Sequence, residues 1–427
     1  MFSETLQEAI GWRRSLHRCP QPAWLEFYAT SFIAEKLSAW GYHLQMGREI
    51  IDGTRQLLLP TPEKLASEME RAAAAGAKPE FMMPAAGGFT GVVAILQGKL
   101  PGPTIAFRFD IDSNEVTESI DPTHRPAVEG FASNNPGYAH MCGHDAHAAI
   151  GLLVAKYFSE HRDEISGTIK FIFQPNEENL SGASAMLSKG VVDDVDVLLG
   201  GHVGLALRQL GQICFNVKGF MALSRYEVTF EGRTTHAALR PDEGKNAMLG
   251  ACAAITNLYA IARHGLGASR INVGTLEAGT TWNVIPDKAY FRLETRGVSN
   301  EINHYMTVKA MEVIRGAATM YGLKVEIKPA AVAFNAMNSS ELVAKATTLA
   351  LQMSSVMEVI PEADFGASED ITLLMERVQS RGGQAMFALF GAPTAGGHHN
   401  EAFDIDEDVI HNAAEFLVNM HKVVTTG

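Results

Sequence analysis

Residues 168–178 read TIKFIFQPNEE, an apolar stretch that ends in polar and acidic residues. Within it, Thr168–Phe173 favours a buried strand, because a short run rich in aromatic and β-branched residues is typical of a sheet core. Residues 104–112, TIAFRFDID, repeat this arrangement, with two aspartates after the apolar run Thr104–Phe109. Both stretches therefore predict strands of an α/β sheet whose ends carry acidic side chains.

Two further strands and a helix extend this pattern. Gly91–Leu96 and Val195–Gly200 are also short and apolar, and His144–His161 carries apolar residues at helical spacing. Strands that alternate with helices predict an open α/β sheet. Since such sheets bind ligands at the carboxyl ends of their strands, we expect the polar clusters that follow the strands to meet at one edge.

The pattern changes near Lys218, where an inserted domain is predicted. Its strands are predicted at Leu223–Glu231, Arg270–Leu276, Lys288–Thr295 and Leu323–Ile327, and its helices at Lys245–Ile261 and Glu301–Tyr321. The order β-α-β-β-α-β is ferredoxin-like. The first pattern then resumes with a helix at Ser340–Met353, a strand at Ala385–Phe390 and a helix near Asp406–Val423. We therefore expect one α/β domain formed by residues 1–217 and 330–427, with residues 218–329 inserted.

Residues 49–90 lie outside both patterns. They include a predicted helix at Pro62–Ala75, followed by Ala- and Gly-rich sequence that contains Phe81, Met82 and Met83. A loop of this length is uncommon in a compact domain. Two interpretations stay open, a solvated excursion or a lid that shapes substrate or partner contact.

Composition and charge exclude several classes of protein. The formal net charge of -13 argues against binding to nucleic acid or to an anionic membrane surface. The first residues show no secretory signal, and the longest mostly apolar stretch, Leu249–Gly267, is interrupted by polar residues and predicts a core helix. The four cysteines show no disulfide spacing. We expect a cytoplasmic protein.

The densest group of metal-binding residue types is HMCGHDAH at residues 140–147. Cys142 and His144 lie two residues apart at the start of the predicted helix, where a thiolate and an imidazole can ligate one metal ion. A buried cysteine beside surface histidines is the alternative. His202 follows Gly200-Gly201, and the pair His398-His399 follows two further glycines. Each is weak alone, but together they predict a metal site at the sheet edge.

Glu177 and Glu178 directly follow the predicted strand at Thr168–Phe173 and the short link QPN. Adjacent carboxylates repel each other, so they need either a cation or a solvated turn. One carboxylate can bind a metal while the other takes a proton from water, which is what metal-assisted hydrolysis requires. The pair therefore favours a hydrolase, with a solvated turn as the alternative.

These segments resemble the M20 metallopeptidases, in particular the amidohydrolase branch that includes hippurate and auxin-conjugate hydrolases. The resemblance implies a Zn-peptidase-like α/β catalytic domain with an inserted ferredoxin-like dimerisation or lid domain. It spans nearly the whole chain. The matching segments are Arg13-Arg14-Ser-Leu-His17, Arg108-Phe-Asp110-Ile-Asp112, Met141-Cys-Gly-His-Asp-Ala-His147, Pro175-Asn-Glu-Glu178, Gly201-His202, Gly232-Arg-Thr-Thr-His236-Ala-Ala, Asn283-Val-Ile-Pro286, Gly366-Ala-Ser-Glu-Asp370 and His399-Asn-Glu-Ala-Phe403.

The resemblance also implies a role for each matched residue. Two divalent metal ions, Mn²⁺ or Zn²⁺, would share Cys142 as bridging ligand, a thiolate where most of the family use a carboxylate. His144 and His202 would ligate one metal ion, and Glu178 and His399 the other. Glu177 would act as the general base. His236 would polarise the scissile carbonyl across a dimer, and Asn283 and Arg296 would bind the substrate's carboxylate end.

Asp110 and Asp145 are interpreted as residues that orient ligands through hydrogen bonds, and His147 as structural. Alignment on Phe403 favours His399 over His398 as the ligand. Two departures from the family pattern bear on the shape of the expected acyl pocket. These are Phe109, where most of the branch has Ala, and Ser113-Asn114, where most have Leu-Pro.

The substrate that the resemblance implies is p-aminobenzoyl-glutamate, cleaved to p-aminobenzoate and glutamate. The alternatives are a broader deacylase of hippurate-like or N-acetyl amino acids, and a non-catalytic subunit of a hetero-oligomeric hydrolase. The presence of Glu177 and of every expected ligand argues against the last. As partners we expect a second copy in a homodimer, or a homologous second subunit in a heterodimer or heterotetramer.

Overall fold

The computed structural model describes Phe2 and residues 5–426. Within those residues, none of the helices combines the length and apolar composition that crossing a bilayer requires.

Helices and strands are numbered in chain order. The α-helices are α1 (Leu6–Arg18), α2 (Phe27–Ala39), α3 (Pro62–Ala74), α4 (Pro79–Met82), α5 (Arg125–Val128), α6 (His144–Glu160), α7 (Gly182–Leu187), α8 (Ala247–Tyr259), α9 (Asn300–Tyr321), α10 (Ser340–Ala350), α11 (Ile371–Ser380) and α12 (Val409–Thr425). The strands are β1 (His43–Met46), β2 (Val92–Gln97), β3 (Leu100–Asp110), β4 (Ser166–Gln174), β5 (Val197–Val203), β6 (Gln212–Cys214), β7 (Val217–Lys218), β8 (Ala222–Glu231), β9 (Ser269–Ala278), β10 (Lys288–Gly297), β11 (Lys324–Ala333), β12 (Glu358–Ile360), β13 (Ala363–Asp364), β14 (Gln384–Phe390), β15 (Thr394–Ala395) and β16 (Asp404–Ile405).

The chain forms two compact units. Unit 1 runs to Lys218 and resumes over Ala336–Phe365 and from Asp370, while unit 2 comprises Gly219–Asn335 and Gly366–Glu369. The sequence placed the end of the inserted segment at residue 329. The last strand of unit 2 continues to Ala333 because it stays paired with β8 as far as Leu223.

Unit 1 is built on an eight-stranded mixed sheet with the order β1-β2-β4-β3-β5-β14-β6-β12. The central strands β4, β3, β5 and β14 are parallel to one another. This architecture confirms the predicted α/β fold. It also directs the carboxyl ends of β3, β4 and β5 to one edge, where the acidic clusters of the sequence lie.

Helix α6 packs closely against the strands that carry the site. A Cβ atom at Gly151 would lie 2.7 Å from ring atoms of both Phe109 and Phe173, so only glycine fits there. The rings of Phe109 and Phe173 are 5.7 Å apart, and Phe109 is only 7% exposed. Phe109 therefore fills the core beneath α6. This position gives no support to the expectation that Phe109 shapes an acyl pocket.

The segment at 49–90 is packed rather than solvated. Helix α3 confirms the predicted helix, and its Leu65 and Ala72 are buried in a small apolar cluster with Phe27 and Met82. Glu68 on the same helix is also buried and accepts a hydrogen bond from Gln21. The interpretation as a solvated excursion is therefore wrong, because α3 buries one face against residues near α2.

Unit 2 contains the elements β8-α8-β9-β10-α9-β11, the ferredoxin-like order that the sequence predicts. Its sheet is antiparallel throughout, with the order β11-β8-β10-β9. One face of the sheet contributes Phe230 and Phe291 to a core shared with Met306 and Ile314 of α9. The opposite face of β10 carries Tyr290, Arg292, Glu294 and Arg296, all of which retain solvent exposure.

Candidate metal centre

The carboxyl ends of β3, β4 and β5 bring the predicted ligands of unit 1 together. Cys142 belongs to two groups of ligating atoms in which all atoms lie within 4.8 Å of one another, one with His144 and His202 and one with Glu178 and His399. Its Sγ atom is 3.4 Å from Nε2 of His202, and Nε2 of His399 is 3.3 Å from Oε2 of Glu178. A thiol shared by two such groups has the arrangement of a bridging ligand.

Hydrogen bonds fix the tautomers of two of these histidines. Nδ1 of His144 lies 3.0 Å from the carbonyl oxygen of Asp112, and Nδ1 of His202 lies 2.8 Å from that of Val203. A carbonyl only accepts, so each Nδ1 carries the proton when the ring is neutral. The Nε2 lone pairs of both rings are then directed to the group around Cys142, as in metal-binding histidines.

Unsatisfied buried atoms provide a test of whether a cation fits. Nε2 of His144 and Oε1 of Glu178 are buried without a hydrogen-bond partner and lie 3.8 Å apart. That separation is too long for a hydrogen bond, and a buried polar atom without a partner is costly. Thiolate, imidazole and carboxylate are donors that divalent transition metals accept. The residues present therefore fit a cation at this position.

The charges of the centre also favour a cation. Burial raises the pKa of the Cys142 thiol, so a thiolate is stable there only with a positive partner. Hydrogen bonds to Cys142 and Glu178 raise the pKa of His399 to about 10. Burial opposes ionisation of Glu178, but the hydrogen bond from His399 and the positive charges of His144 and His399 together outweigh burial and lower the pKa of Glu178 to about 2. When no metal is bound, the positive charge beside Cys142 and Glu178 is therefore carried by the protonated ring of His399.

The structure distinguishes His399 from His398. The backbone N–H of His399 donates to the carbonyl of Met141, 2.7 Å away, and its φ of 62° lies in the left-handed region. Non-glycine residues adopt this conformation rarely, and such positions are enriched at functional sites. Nε2 of His398 instead lies 3.3 Å from the carbonyl of Val203. His399 therefore joins the group around Cys142, whereas His398 contacts backbone next to His202.

Glu177 lies beside this group, with Oε2 3.9 Å from Nε2 of His144 and the residue 8% exposed. The preceding residue, Asn176, has a φ of 53°, and its N–H donates to Oε1 of Glu26 at 2.9 Å. Glu26 is fully buried and also accepts from the hydroxyl of Thr90 at 2.6 Å. Glu26 thus holds the backbone that positions Glu177, a role that sequence reasoning missed because the two residues are far apart in the chain.

Asp112, rather than Asp110, orients a histidine of the centre. Asp112 Oδ1 lies 3.2 Å from Nδ1 of His144, and its Oδ2 accepts from the N–H of Glu178 at 3.0 Å. Asp110 instead accepts from Nδ1 of His147 at 2.5 Å, while Nε2 of His147 accepts from a backbone N–H. Both ring nitrogens of His147 are occupied, so it has no lone pair left for a metal.

Asp145 does not orient a ligand side chain as the sequence suggested. Its Oδ2 accepts from Nε of Arg13 and from Nδ1 of His17, both at 2.8 Å. Arg13 is fully buried and also donates to Asp404 at 2.7 Å and to Glu407 at 3.0 Å. Asp145 therefore anchors the start of α6 to α1 and to the segment before α12.

Asn114 supports the loop that carries Cys142. Its backbone exchanges hydrogen bonds with Ala139, and its Oδ1 accepts from the N–H of Met141 at 2.9 Å. A proline at this position, as in most of the resembling branch, lacks the N–H that donates to Ala139. The departure at Ser113-Asn114 thus affects the support of the loop that carries a ligand.

The remaining predicted residues belong to unit 2. His236 and Asn283 are exposed and lie together, with Nε2 and Nδ2 3.5 Å apart. Arg296 lies at the other end of β10, where its Nε is 2.5 Å from Oε1 of Glu294. A strand of 10 residues spans roughly 30 Å at about 3.3 Å per residue. The structure therefore brings His236 and Asn283 together but separates Arg296 from both within one chain.

Comparison with known proteins identifies the family. Residues 106–422 match peptidase family M20/M25/M40. The chain is 43% identical to indole-3-acetyl-aspartic acid hydrolase of Enterobacter agglomerans, covering 97% of this chain and 95% of the relative. It is also 43% identical to a p-aminobenzoyl-glutamate hydrolase subunit of Escherichia coli (strain K12), covering 95% of this chain and 93% of the relative.

A solved structure supports the same family. Aminobenzoyl-glutamate utilization protein from Klebsiella pneumoniae superposes with a TM-score of 0.84 at 36% identity, covering 98% of this chain and 95% of that one. The resemblance found in the sequence is confirmed, and so is the class of reaction that it implied. The chain belongs to peptidase family M20/M25/M40 and is a metal-dependent hydrolase of amide bonds.

Proposed function

We propose that this hydrolase cleaves the amide bond between an aromatic acyl group and an acidic amino acid, with p-aminobenzoyl-glutamate as the first candidate substrate. The observation that carries the proposal is the position of Cys142 in two ligand groups directly beside Glu177. In this assignment, His144 and His202 would hold one cation, Glu178 and His399 would hold the other, and Cys142 would contribute to both positions. The donors suit Zn²⁺ by softness, and Mn²⁺ also accepts imidazole and carboxylate.

Divalent cations at such a site lower the pKa of water and polarise a substrate carbonyl. Glu177 accepts a proton as the oxygen of water bonds to the amide carbon. The C–N bond then breaks, and Glu177 delivers that proton to the departing nitrogen, which releases a carboxylic acid and an amino acid. His236 donates a hydrogen bond to the carbonyl oxygen, on which negative charge develops.

Within unit 2, the distance of Arg296 from His236 and Asn283 supports an active site that a second chain completes. His236 and Asn283 lie near the Lys288 end of β10, whereas Arg296 lies near its Gly297 end. A substrate the size of an acylated amino acid is shorter than this strand, so it cannot contact both ends of one copy. We therefore assign His236 and Asn283 of one copy to one active site of a symmetric dimer. Arg296 of the same copy then belongs to the other active site.

The substrate class rests on what the relatives have in common. The two relatives with 43% identity are named for conjugates of aspartate and of glutamate. Indole-3-acetyl-aspartate is therefore the second candidate. Arg296 supports both, since a guanidinium binds a carboxylate with two hydrogen bonds.

A partner chain is part of the proposal. The relative from Escherichia coli is named as one subunit of its hydrolase, and a relative from Haemophilus influenzae is named as a homolog of that subunit. The partner of this chain would then be either a second copy or a homologous chain. The four cysteines are free, which supports a reducing compartment such as the cytoplasm.

A hydrolysis panel tests the proposal. The full chain, loaded with Mn²⁺ or with Zn²⁺, is assayed on p-aminobenzoyl-glutamate, indole-3-acetyl-aspartate, hippurate and N-acetyl-glutamate. We expect the two aromatic conjugates of acidic amino acids to give the highest kcat/KM. Equal rates on all four support the broader deacylase, and activity that appears only after addition of a homologous chain supports the partner requirement. Hydrolysis of none, with metal bound and either partner present, contradicts the proposal.

A further inference from the structure

The open face of the sheet in unit 2 carries an unusual group of arginines at one end. The register pairs Arg296 of β10 directly with Arg270 of β9, so their side chains leave the same face of the sheet. Arg225 of β8 lies opposite Glu294, two residues before Arg296 on β10 and on the same face of the sheet. We refer to Arg225, Arg270 and Arg296 as the arginine end of the sheet.

Directly opposed residues of an antiparallel pair have Cβ atoms about 4.5–5.5 Å apart, and like charges in this position are destabilising. Glu294 compensates two of the three arginines. It accepts from Nε of Arg225 at 2.9 Å and from Nε of Arg296 at 2.5 Å. No carboxylate within hydrogen-bond distance of Arg270 is found among residues 5–426 of the chain.

The guanidinium of Arg270 is thus available to a ligand. Its Nη1 donates to the carbonyl of Ser269 at 2.9 Å, which orients the group and leaves its other N–H groups to donate elsewhere. The residue is exposed. By contrast, Arg292 on the same face lies next to Glu227, 3.2 Å away, and so already has its counter-charge.

We propose that Arg270 binds the side-chain carboxylate of the amino acid half of the substrate, while Arg296 binds its α-carboxylate. The inference rests on the proposed function and sharpens it to conjugates of dicarboxylic amino acids. The two carboxylates of glutamate are separated by three carbon atoms, which suits two guanidinium groups on neighbouring strands. Substrate binding then supplies Arg270 with a counter-charge like the one that Glu294 already provides to Arg296.

The test compares two substrates that differ only in the charge of the side chain of their amino acid half. Wild type, Arg270→Gln and the matched control Arg292→Gln are assayed on p-aminobenzoyl-glutamate and on its γ-amide, p-aminobenzoyl-glutamine. We expect Arg270→Gln to lower kcat/KM for the glutamate conjugate by about 10- to 100-fold, the range of a hydrogen bond to a charged group. The glutamine conjugate should be cleaved as by wild type, and Arg292→Gln should change neither.

Equal losses on the two substrates, or no loss on either, overturn the assignment of Arg270. Hydrolysis of neither substrate by wild type contradicts the proposed function instead. In that case the subsite is tested by calorimetric binding of L-glutamate and L-glutamine. A preference for glutamate in wild type that disappears in Arg270→Gln supports the subsite, and its persistence in the variant overturns it.

Discussion

The candidate metal centre of unit 1 and the polar face of unit 2 are organised in opposite ways. Cys142, His144 and His202 are all buried, and hydrogen bonds that the two histidines donate to the carbonyls of Asp112 and Val203 fix their rings. His236 and Asn283 are exposed, and Arg270 has no carboxylate partner within residues 5–426. The first region is organised before any ligand arrives, whereas the second leaves its polar groups exposed to solvent.

This difference follows from the chemistry that each region must perform. A metal site needs ligand atoms held in fixed positions, and buried hydrogen bonds provide that rigidity. Groups that recognise a substrate must be open to solvent until it binds. We therefore expect changes in unit 1 to affect metal content or turnover, and changes in unit 2 to affect substrate preference and assembly.

The largest expected effect separates the two adjacent glutamates of the centre. Glu177→Ala should retain metal but lose turnover by about 10²–10⁴-fold, the usual cost of losing a general base. Glu178→Ala should lose metal, because Glu178 belongs to the ligand group of His399. Elemental analysis and turnover measured on the same preparations check both. Reversed phenotypes would show that the roles of the two residues are exchanged.

Cys142→Ala is expected to reduce the occupancy of both metal positions, because its thiol belongs to both ligand groups. His202→Ala is the matched variant and should reduce only one. Cys142→Asp should restore metal and shift the preference towards Mn²⁺, since a carboxylate is a harder ligand than a thiolate. Metal titration followed by atomic spectroscopy reports the outcome. Full occupancy in a folded Cys142→Ala protein would exclude Cys142 as a ligand.

Unit 2 is tested by complementation between two inactive proteins, His236→Ala and Glu177→Ala, mixed so that the two chains exchange. If His236 acts on the partner's site, one site of each mixed dimer has both an intact Glu177 and an intact His236. Random exchange makes half of the dimers mixed, so activity should return to about a quarter of wild type. Native mass spectrometry confirms the exchange. No recovery despite exchange would mean that His236 serves its own chain or no site.

The smallest expected effect concerns the buried charges that support α6. His17 lies 2.8 Å from Asp145 and 2.9 Å from Glu118. Burial opposes its protonation, but hydrogen bonds to these two carboxylates outweigh burial and raise the pKa of His17 to about 8. In the unfolded chain the pKa is about 6.5. The protonated ring therefore stabilises the fold fully below pH 6.5, and this contribution is lost as pH rises through 8.

The difference between the folded and unfolded pKa values of His17 corresponds to a contribution of about 2 kcal/mol to the free energy of unfolding. Urea unfolding at pH 6 and pH 9 measures it, with EDTA present so that metal release adds no pH dependence of its own. His17→Asn should be less stable at pH 6 and should show a smaller loss between the two pH values. An unchanged pH dependence in the variant would mean that His17 is not the group that titrates.

Sequence periodicity predicted the regular elements well, because it reflects local chemistry. The predicted helix at Pro62–Ala75 is α3, and the predicted strand at Lys288–Thr295 is β10, longer by two residues. The alternation of apolar and polar residues along β10 is visible in the sequence itself. By contrast, the antiparallel pairing of β2 with β4 joins residues about 75 positions apart and leaves no local pattern.

The hydrogen-bonded support of the metal centre was predicted less well, for the same physical reason. Asp145 follows the histidine of a recognisable motif, yet its partner Arg13 is 132 residues away. Asp110 and Asp112 share one motif, and only the direction of each side chain decides which of them reaches His144. The spacing of ligand types in a sequence thus indicates a metal site but does not identify the residues that hold the ligands in place.

The strand that enters unit 2 and the strand that leaves it are hydrogen-bonded neighbours, with Leu223 of β8 opposite Ala333 of β11. As the chain emerges from the ribosome, this unit can close its own sheet before residues 336–426 have been made. Unit 1 must wait, because β14, His399 and two of the three carboxylates that neutralise Arg13, Asp404 and Glu407, come from that last part of the chain. Vectorial synthesis therefore completes unit 2 first and the candidate metal centre of unit 1 last. During that interval the sheet of unit 1 lacks β14, the neighbour of β5, and is incomplete.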